Sequence, residues 1–175
     1  LSVPQLLDGG RLDYLIFDYL AEGSMAIFGR MQAADAAAGY GTDFLNVHIG
    51  PHLRAIAEQG VRVIANAGGV NPAGLAAAMR AMIAEKGLNL TVAHIEGDDL
   101  RPQLSDLRVE GVRDMFDGSA FPDAVISANA YLGAFPIAAA LDAGADIVIT
   151  GRIVDSALAL GPLIHEFGWG EDEYD

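Results

Sequence analysis

The sequence contains no cysteine, which excludes disulfides and thiolate chemistry and leaves the redox compartment open. Positive charge is scarce: 10 Lys and Arg stand against 24 Asp and Glu, for a formal net charge of −14. Such a chain repels phosphate backbones, so nucleic acid is set aside as a partner, and an anionic small ligand would need a local cation. No apolar run approaches the length of about 18 residues at which a membrane span is read. The first residues lack the basic and apolar regions of a secretory signal, so the expected location is cytoplasmic, with no membrane partner.

Small and apolar residues are abundant. The chain is 52% hydrophobic with 21 glycines, a composition that suits helices lying close on a sheet. Its 175 residues are read as one α/β domain. It opens on Leu1 and closes on an acidic EDEYD stretch, and is read as a truncated piece of a longer domain.

Five short apolar runs read as strands, at residues 12–17 (LDYLIF), 61–65 (VRVIA), 90–95 (LTVAHI), 124–128 (AVISA) and 146–150 (DIVIT). The last is apolar between its ends, as in a strand covered on both faces. Helical spacing lies between the runs. One helix is expected from an N-cap at Ser24 to a stop at Gly39-Tyr40-Gly41, and 42–50 is expected to be irregular. A second helix is expected to open on Pro51 and close at Gly60. A third is capped by Asn71, opens on Pro72 and stops at Gly87; a fourth runs over 135–143. After 146–150 a helix begins near Asp155, and Pro162 is expected to kink it or split it in two. Residues 100–123, with five acidic residues and three arginines, form a polar excursion with at best a short helix near 103–109. Loops of that length are usually functional or mobile, so a lid or a subunit contact is expected.

Strands alternating with helices predict a mostly parallel sheet. A doubly wound open sheet is preferred to five units of a (β/α)8 barrel. All strand ends would then share one edge, where open α/β sheets build their sites. That edge would gather Asp18 and Glu22; Asn66, Gly68, Gly69 and Asn71; Glu96, Asp98 and Asp99; Ser127, Asn129 and Tyr131; and Thr150, Arg152, Asp155 and Ser156.

Most of these have a plain structural reading beside the functional one. Ser24, Asn71 and Asp155 are each in place to cap a helix. Gly68-Gly69 lacks the spacing of a dinucleotide fingerprint and serves equally as a tight turn. Glu96, Asp98 and Asp99 suit a solvated loop better than a divalent metal. His48 and His52 are separated by Gly50-Pro51, which denies them a common helical face for zinc, and His165 is read as capping or packing. Arg152 sits directly at a strand end and requires an anionic partner, either an internal carboxylate such as Asp155 or a ligand's carboxylate or phosphate.

Six blocks in order resemble the acyclic terpene utilisation (AtuA) family. They are DYLAE at 18–22, NAGGVNP at 66–72, EGDD at 96–99, SANAYLGA at 127–134, TGRIVDS at 150–156 and LGPLIHEFGW at 160–169. The resemblance implies bacterial breakdown of citronellol- and geraniol-type isoprenoids through acyl-CoA intermediates. It also implies a further strand and a Gly-rich turn before this chain and more of the domain after it.

Three functions follow as expectations. The first is a lyase- or hydratase-type enzyme acting on a branched acyl-CoA or carboxylate. In it Glu22, Glu96, Asp98 and Asp155 supply acid and base, Arg152 holds an anionic group, and Asn66, Ser127 and Asn129 polarise a carbonyl oxygen. A CoA thioester would be part of the substrate rather than a cofactor. The second is a nucleotide- or phosphate-binding module built on Gly68-Gly69 and Arg152. The third is a non-catalytic subunit of a carboxylase-type complex, with 100–123 as its contact. A homo-oligomer is the expected assembly.

Overall fold

A computed structural model describes residues 2–173. Four strands, β1 (Tyr14–Phe17), β2 (Arg62–Ala65), β3 (Val92–Ile95) and β4 (Ile147–Thr150), form one parallel sheet in the order β1-β2-β4-β3. Seven helices lie between and beside them: α1 (Val3–Asp8), α2 (Glu22–Ala34), α3 (Leu53–Gln59), α4 (Pro72–Glu85), α5 (Leu104–Val109), α6 (Phe135–Asp142) and α7 (Ala157–Phe167). The sheet is open, as expected, and the barrel alternative falls away. Among the described residues no helix is long and apolar enough to cross a membrane.

The pleat distributes the core onto two faces. Leu15, Val63, Ala65, Ile147 and Ile149 face a cluster with Leu53 and Ile56 of α3 and Leu75, Met79 and Ile83 of α4. Ile64, Val148 and Ile95 face the other way, onto Ile137 and Leu141 of α6 and Leu158 and Ile164 of α7. The chain passes from β2 over β4 to β3 through α4, then returns to β4 through α6 on the opposite face. Right-handed crossovers in both directions require that change of face.

Residues 124–128 do not form the expected strand. The slot between β2 and β3 is filled by β4, which pairs with both. Ile126 is half exposed instead, and the chain then runs across the carboxyl edge, bridging Asp99 at Asn129 and Ile153 at Leu132. Several helix boundaries also differ from expectation, among them the end of α2, at Ala34 rather than at Gly39-Tyr40-Gly41. Ala21 is the N-cap of α2, and the Ser24 hydroxyl accepts from the Ala21 N–H at 3.5 Å from within the first turn. Residues Phe44–Ile49 form a π-type turn, and Pro51 lies in a 3-10 turn (Gly50–His52) leading into α3.

Helix α7 is continuous through Pro162. Gly161, just before it, gives the reason for that dipeptide: a Cβ there would come within 2.5 Å of the Ile137 Cβ, so the glycine lets α6 and α7 touch. His165 ties the same helix down at the far end of the sheet. Its Nδ1 is paired with Asp142 at 2.5 Å, and its Nε2 meets Arg62 Nη1 at 2.7 Å. The excursion 100–123 holds the short helix α5 and then a narrow turn with a bridge between Arg113 and Ala120.

Candidate functional site

β2 and β4 are neighbours, but the chain leaves β2 toward one face of the sheet and leaves β4 toward the other. That is a topological switch point, where open sheets leave a crevice at their carboxyl ends. Here the crevice is closed at its base. The Gly68 N–H donates to the Thr150 carbonyl at 3.1 Å, and a Cβ at Gly68 would lie 2.6 Å from that oxygen. Asn66, fully buried, joins the neighbouring strand ends: its Oδ1 accepts from the Tyr19 N–H at 2.5 Å and its Nδ2 donates to Asp18 at 2.8 Å. Thr150 is also fully buried and turns its hydroxyl to the Gly151 carbonyl at 2.9 Å.

Asp98 lies beside this base at only 3% exposure. Its Oδ2 accepts from the Arg152 N–H at 2.7 Å and from Asn129 Nδ2 at 2.9 Å. Its Oδ1 accepts from no other residue among those described. No fully buried side-chain nitrogen or oxygen among them is without a partner. Oδ1 therefore reaches the opening beside it, a cleft of about 250 Å³ walled by Val70, Asn71, Pro72, Glu96 and Asn129. Burial raises the Asp98 pKa above its usual 3.8, against the lowering effect of the hydrogen bonds from Arg152 and Asn129. The approach to β4 is tight, since a Cβ on Gly151 would come within 2.6 Å of both carboxylate oxygens.

The Arg152 side chain turns away from that cleft. Its Nη1 donates to the Leu20 carbonyl at 2.6 Å and lies 3.4 Å from Asp155 Oδ1. Its Nη2 donates to the Tyr131 hydroxyl at 2.8 Å and lies 3.5 Å from Glu22 Oε1. The guanidinium carbon sits 4.2 Å from the centre of the Tyr131 ring, and the Tyr131 hydroxyl donates to Glu22 at 2.8 Å. Internal partners thus meet the need for an acceptor that the sequence exposes. The Glu22 carboxyl is held below its usual range by its own main-chain N–H, then by Tyr131 and Arg152. Helix α2 covers this part of the edge, with Leu20, Met25 and Val70 buried together beneath it.

The remaining expected residues divide clearly. Asn71 caps α4, its Oδ1 accepting from the Gly74 N–H at 2.9 Å, and its Nδ2 donates to the Ala37 and Ala38 carbonyls. The N–H groups of Gly68, Gly69 and Asn71 all donate within the protein, as does that of Gly74, so this turn does not offer a cradle of free amides to a phosphate. Gly69, at φ +56°, packs against Phe28. Ser127 lies half-buried in a neighbouring groove, while Ser156 is exposed and makes no side-chain cap to α7. Asp155 is 60% exposed, so its pairing with Arg152 is loose.

The three acidic residues after β3 diverge. Asp98 turns to Asn129, Glu96 stands 3.6 Å from His94, and Asp99 takes a two-toothed hydrogen bond from Arg101. Against the desolvation of its part-buried site, those Arg101 bonds hold the Asp99 carboxyl low. Among the described residues no group of three or more His, Asp or Glu side chains is placed to hold a metal ion. Sequence reasoning passed over Gly151 and Arg101. The signal for the first was a glycine locked between a strand end and an arginine; for the second, an arginine two residues beyond paired aspartates.

The family model described as "Acyclic terpene utilisation family protein AtuA" matches residues 1–175 of the chain. No curated protein and no solved structure matches significantly.

Proposed function

The chain belongs to the acyclic terpene utilisation (AtuA) family, and on that footing we propose that it acts in terpenoid catabolism on a branched acyl-CoA thioester or carboxylate, by acid–base chemistry at Asp98. One observation carries the reading. Asp98 is a buried carboxyl with a raised pKa, one oxygen held by two donors and the other open to a cleft at the carboxyl edge. A group tuned toward neutrality in this way is suited to taking and returning a proton.

In a hydration, Oδ1 would take a proton from water as the water oxygen bonds to the β-carbon of an unsaturated thioester. The same carboxyl would then return a proton to the α-carbon as the thioester enolate collapses. In the lyase direction these transfers run backwards. The cleft is lined by Glu96, Asp98 and Asp99, so the acyl end enters it and the anionic part of the substrate stays outside. Arg152 would support the site by holding Tyr131 and the start of α2 in place rather than by binding the substrate anion.

Incubation of the full-length protein with branched and unsaturated acyl-CoA thioesters tests the proposal. Turnover that falls at least a hundredfold in Asp98→Asn is expected; turnover unchanged in that variant, or none with any thioester, overturns it.

A further inference from the structure

Four apolar side chains that belong to none of the buried clusters line a single groove. Leu100, Leu107 of α5, Phe121 and Val125 are all half-buried, and the groove they share measures about 390 Å³. That volume falls in the range of about 300–1,000 Å³ common for small-ligand pockets. Asn129 walls both this groove and the acid cleft of Asp98. Polarity therefore changes along the groove, from apolar beside α5 to an amide and the Ser127 hydroxyl at the end nearer Asp98.

The walls are held in place independently of any ligand. Asp99 and Asn129 bridge two short segments, with the Leu100 N–H on the Ala128 carbonyl at 2.8 Å and the Ala130 N–H on the Asp98 carbonyl at 2.7 Å. Across the groove, Arg108 Nη2 donates to the Pro122 carbonyl at 2.8 Å, which fastens the returning chain to α5. Of the nearby cations, Arg101 is paired with Asp99 and Gln32, and Arg108 engages its Nη2 with the Pro122 and Asp123 carbonyls. No cation lines the groove to draw a phosphate or carboxylate into it, whereas an aliphatic chain would find four apolar walls.

We propose that this groove binds the hydrocarbon chain of the acyl substrate, with the carbonyl end at Asn129 and the chain running toward Leu107 and Phe121. The inference rests on the acid–base reading of Asp98. It makes Leu107 and Phe121 the residues that select chain length.

Calorimetric titration of the full-length protein with saturated CoA thioesters from butanoyl to decanoyl, against free CoA as blank, tests it. Affinity should rise by up to about fourfold per added methylene while the groove fills. Phe121→Ser should flatten that slope, and Leu107→Trp, which adds volume, should move the optimum to shorter chains. Both residues lie outside the cores, so an unchanged Tm verifies that the variants are folded. A slope absent from the natural protein, or unmoved by both substitutions, overturns the inference. So does a change of sedimentation coefficient in Leu107→Trp, which would make the groove a contact between two copies. A flat slope with Asp98-dependent turnover removes the groove alone; a normal slope without turnover removes the acid–base reading alone.

Discussion

Asp98 and Arg152 are joined by a main-chain bond and not by a salt bridge. The Arg152 N–H donates to Asp98 Oδ2 at 2.7 Å, while its guanidinium donates to the Leu20 carbonyl at 2.6 Å. The carboxyl therefore gains a donor without gaining a neutralising charge. Its pKa rises through burial for that reason, where a guanidinium in contact would have lowered it. One residue thus holds the proposed acid and, through its side chain, anchors α2.

This division predicts the behaviour of Arg152→Ala. The N–H on Asp98 remains, but the Leu20 carbonyl loses its donor and the Tyr131 ring its cation. A loss of about 1–3 kcal/mol in urea unfolding is expected; the partners Glu22 and Asp155 are too exposed to add much. Arg152→Lys should restore part of it. Equal losses in the two variants would show that the guanidinium geometry is essential.

Asp98→Asn should stabilise the protein at neutral pH while abolishing turnover. The folded-state pKa lies above the unfolded value, so the folded protein holds the extra proton between the two. The stability contributed by this group is present below the unfolded value and is lost as pH rises through the folded one. Asparagine keeps an acceptor for Arg152 and Asn129 and removes the buried charge. Its Tm should exceed that of the natural protein at pH 7, with the gap closing toward pH 4, as a scan of Tm against pH would register. Stability withheld at a functional carboxyl is a common trade.

Gly151→Ala should damage the same site from the other side. The added methyl would lie 2.6 Å from both Asp98 oxygens, and either β4 or the carboxylate must give way. Overpacking of this kind costs about 1–3 kcal/mol. Thermal melts of Gly151→Ala and of the double variant with Asp98→Ala, which opens the space, would separate the clash from any effect of backbone freedom. The double variant should recover part of the loss relative to Asp98→Ala alone.

Much of this was legible in the chain. The apolar runs at 62–65 and 147–150, followed by Asn66 and Gly151 and then a helix, read as βα units without further information. The run at 124–128 has the same local signal and fails, because strand pairing is decided by which segment fills the slot beside β2, and 147–150 is more apolar. The polar strand ends do lie together at one edge, and most of them are bonded to one another. Residue type at a strand end reveals that a side chain needs a partner, not which partner it finds. Asp98 and Asp99 are adjacent and chemically identical, but only their fold separates a buried carboxyl from one neutralised by Arg101.

Asn71 shows how a residue in the cleft wall can be tested for a purely structural role. Its Oδ1 caps α4 at Gly74, and its Nδ2 tethers the chain after α2 through the Ala38 carbonyl at 3.0 Å and the Ala37 carbonyl at 3.2 Å. Asn71→Ala removes both functions and should cost about 1–2 kcal/mol. Asn71→Ser keeps a capping oxygen but cannot span to residues 37 and 38, so its stability should fall between the two. Limited proteolysis should then cleave near 35–40 in both variants, because the tether is gone in each, while Tm falls further in the alanine form. If serine restores resistance to cleavage as well as Tm, the tether contributes little and capping alone accounts for Asn71.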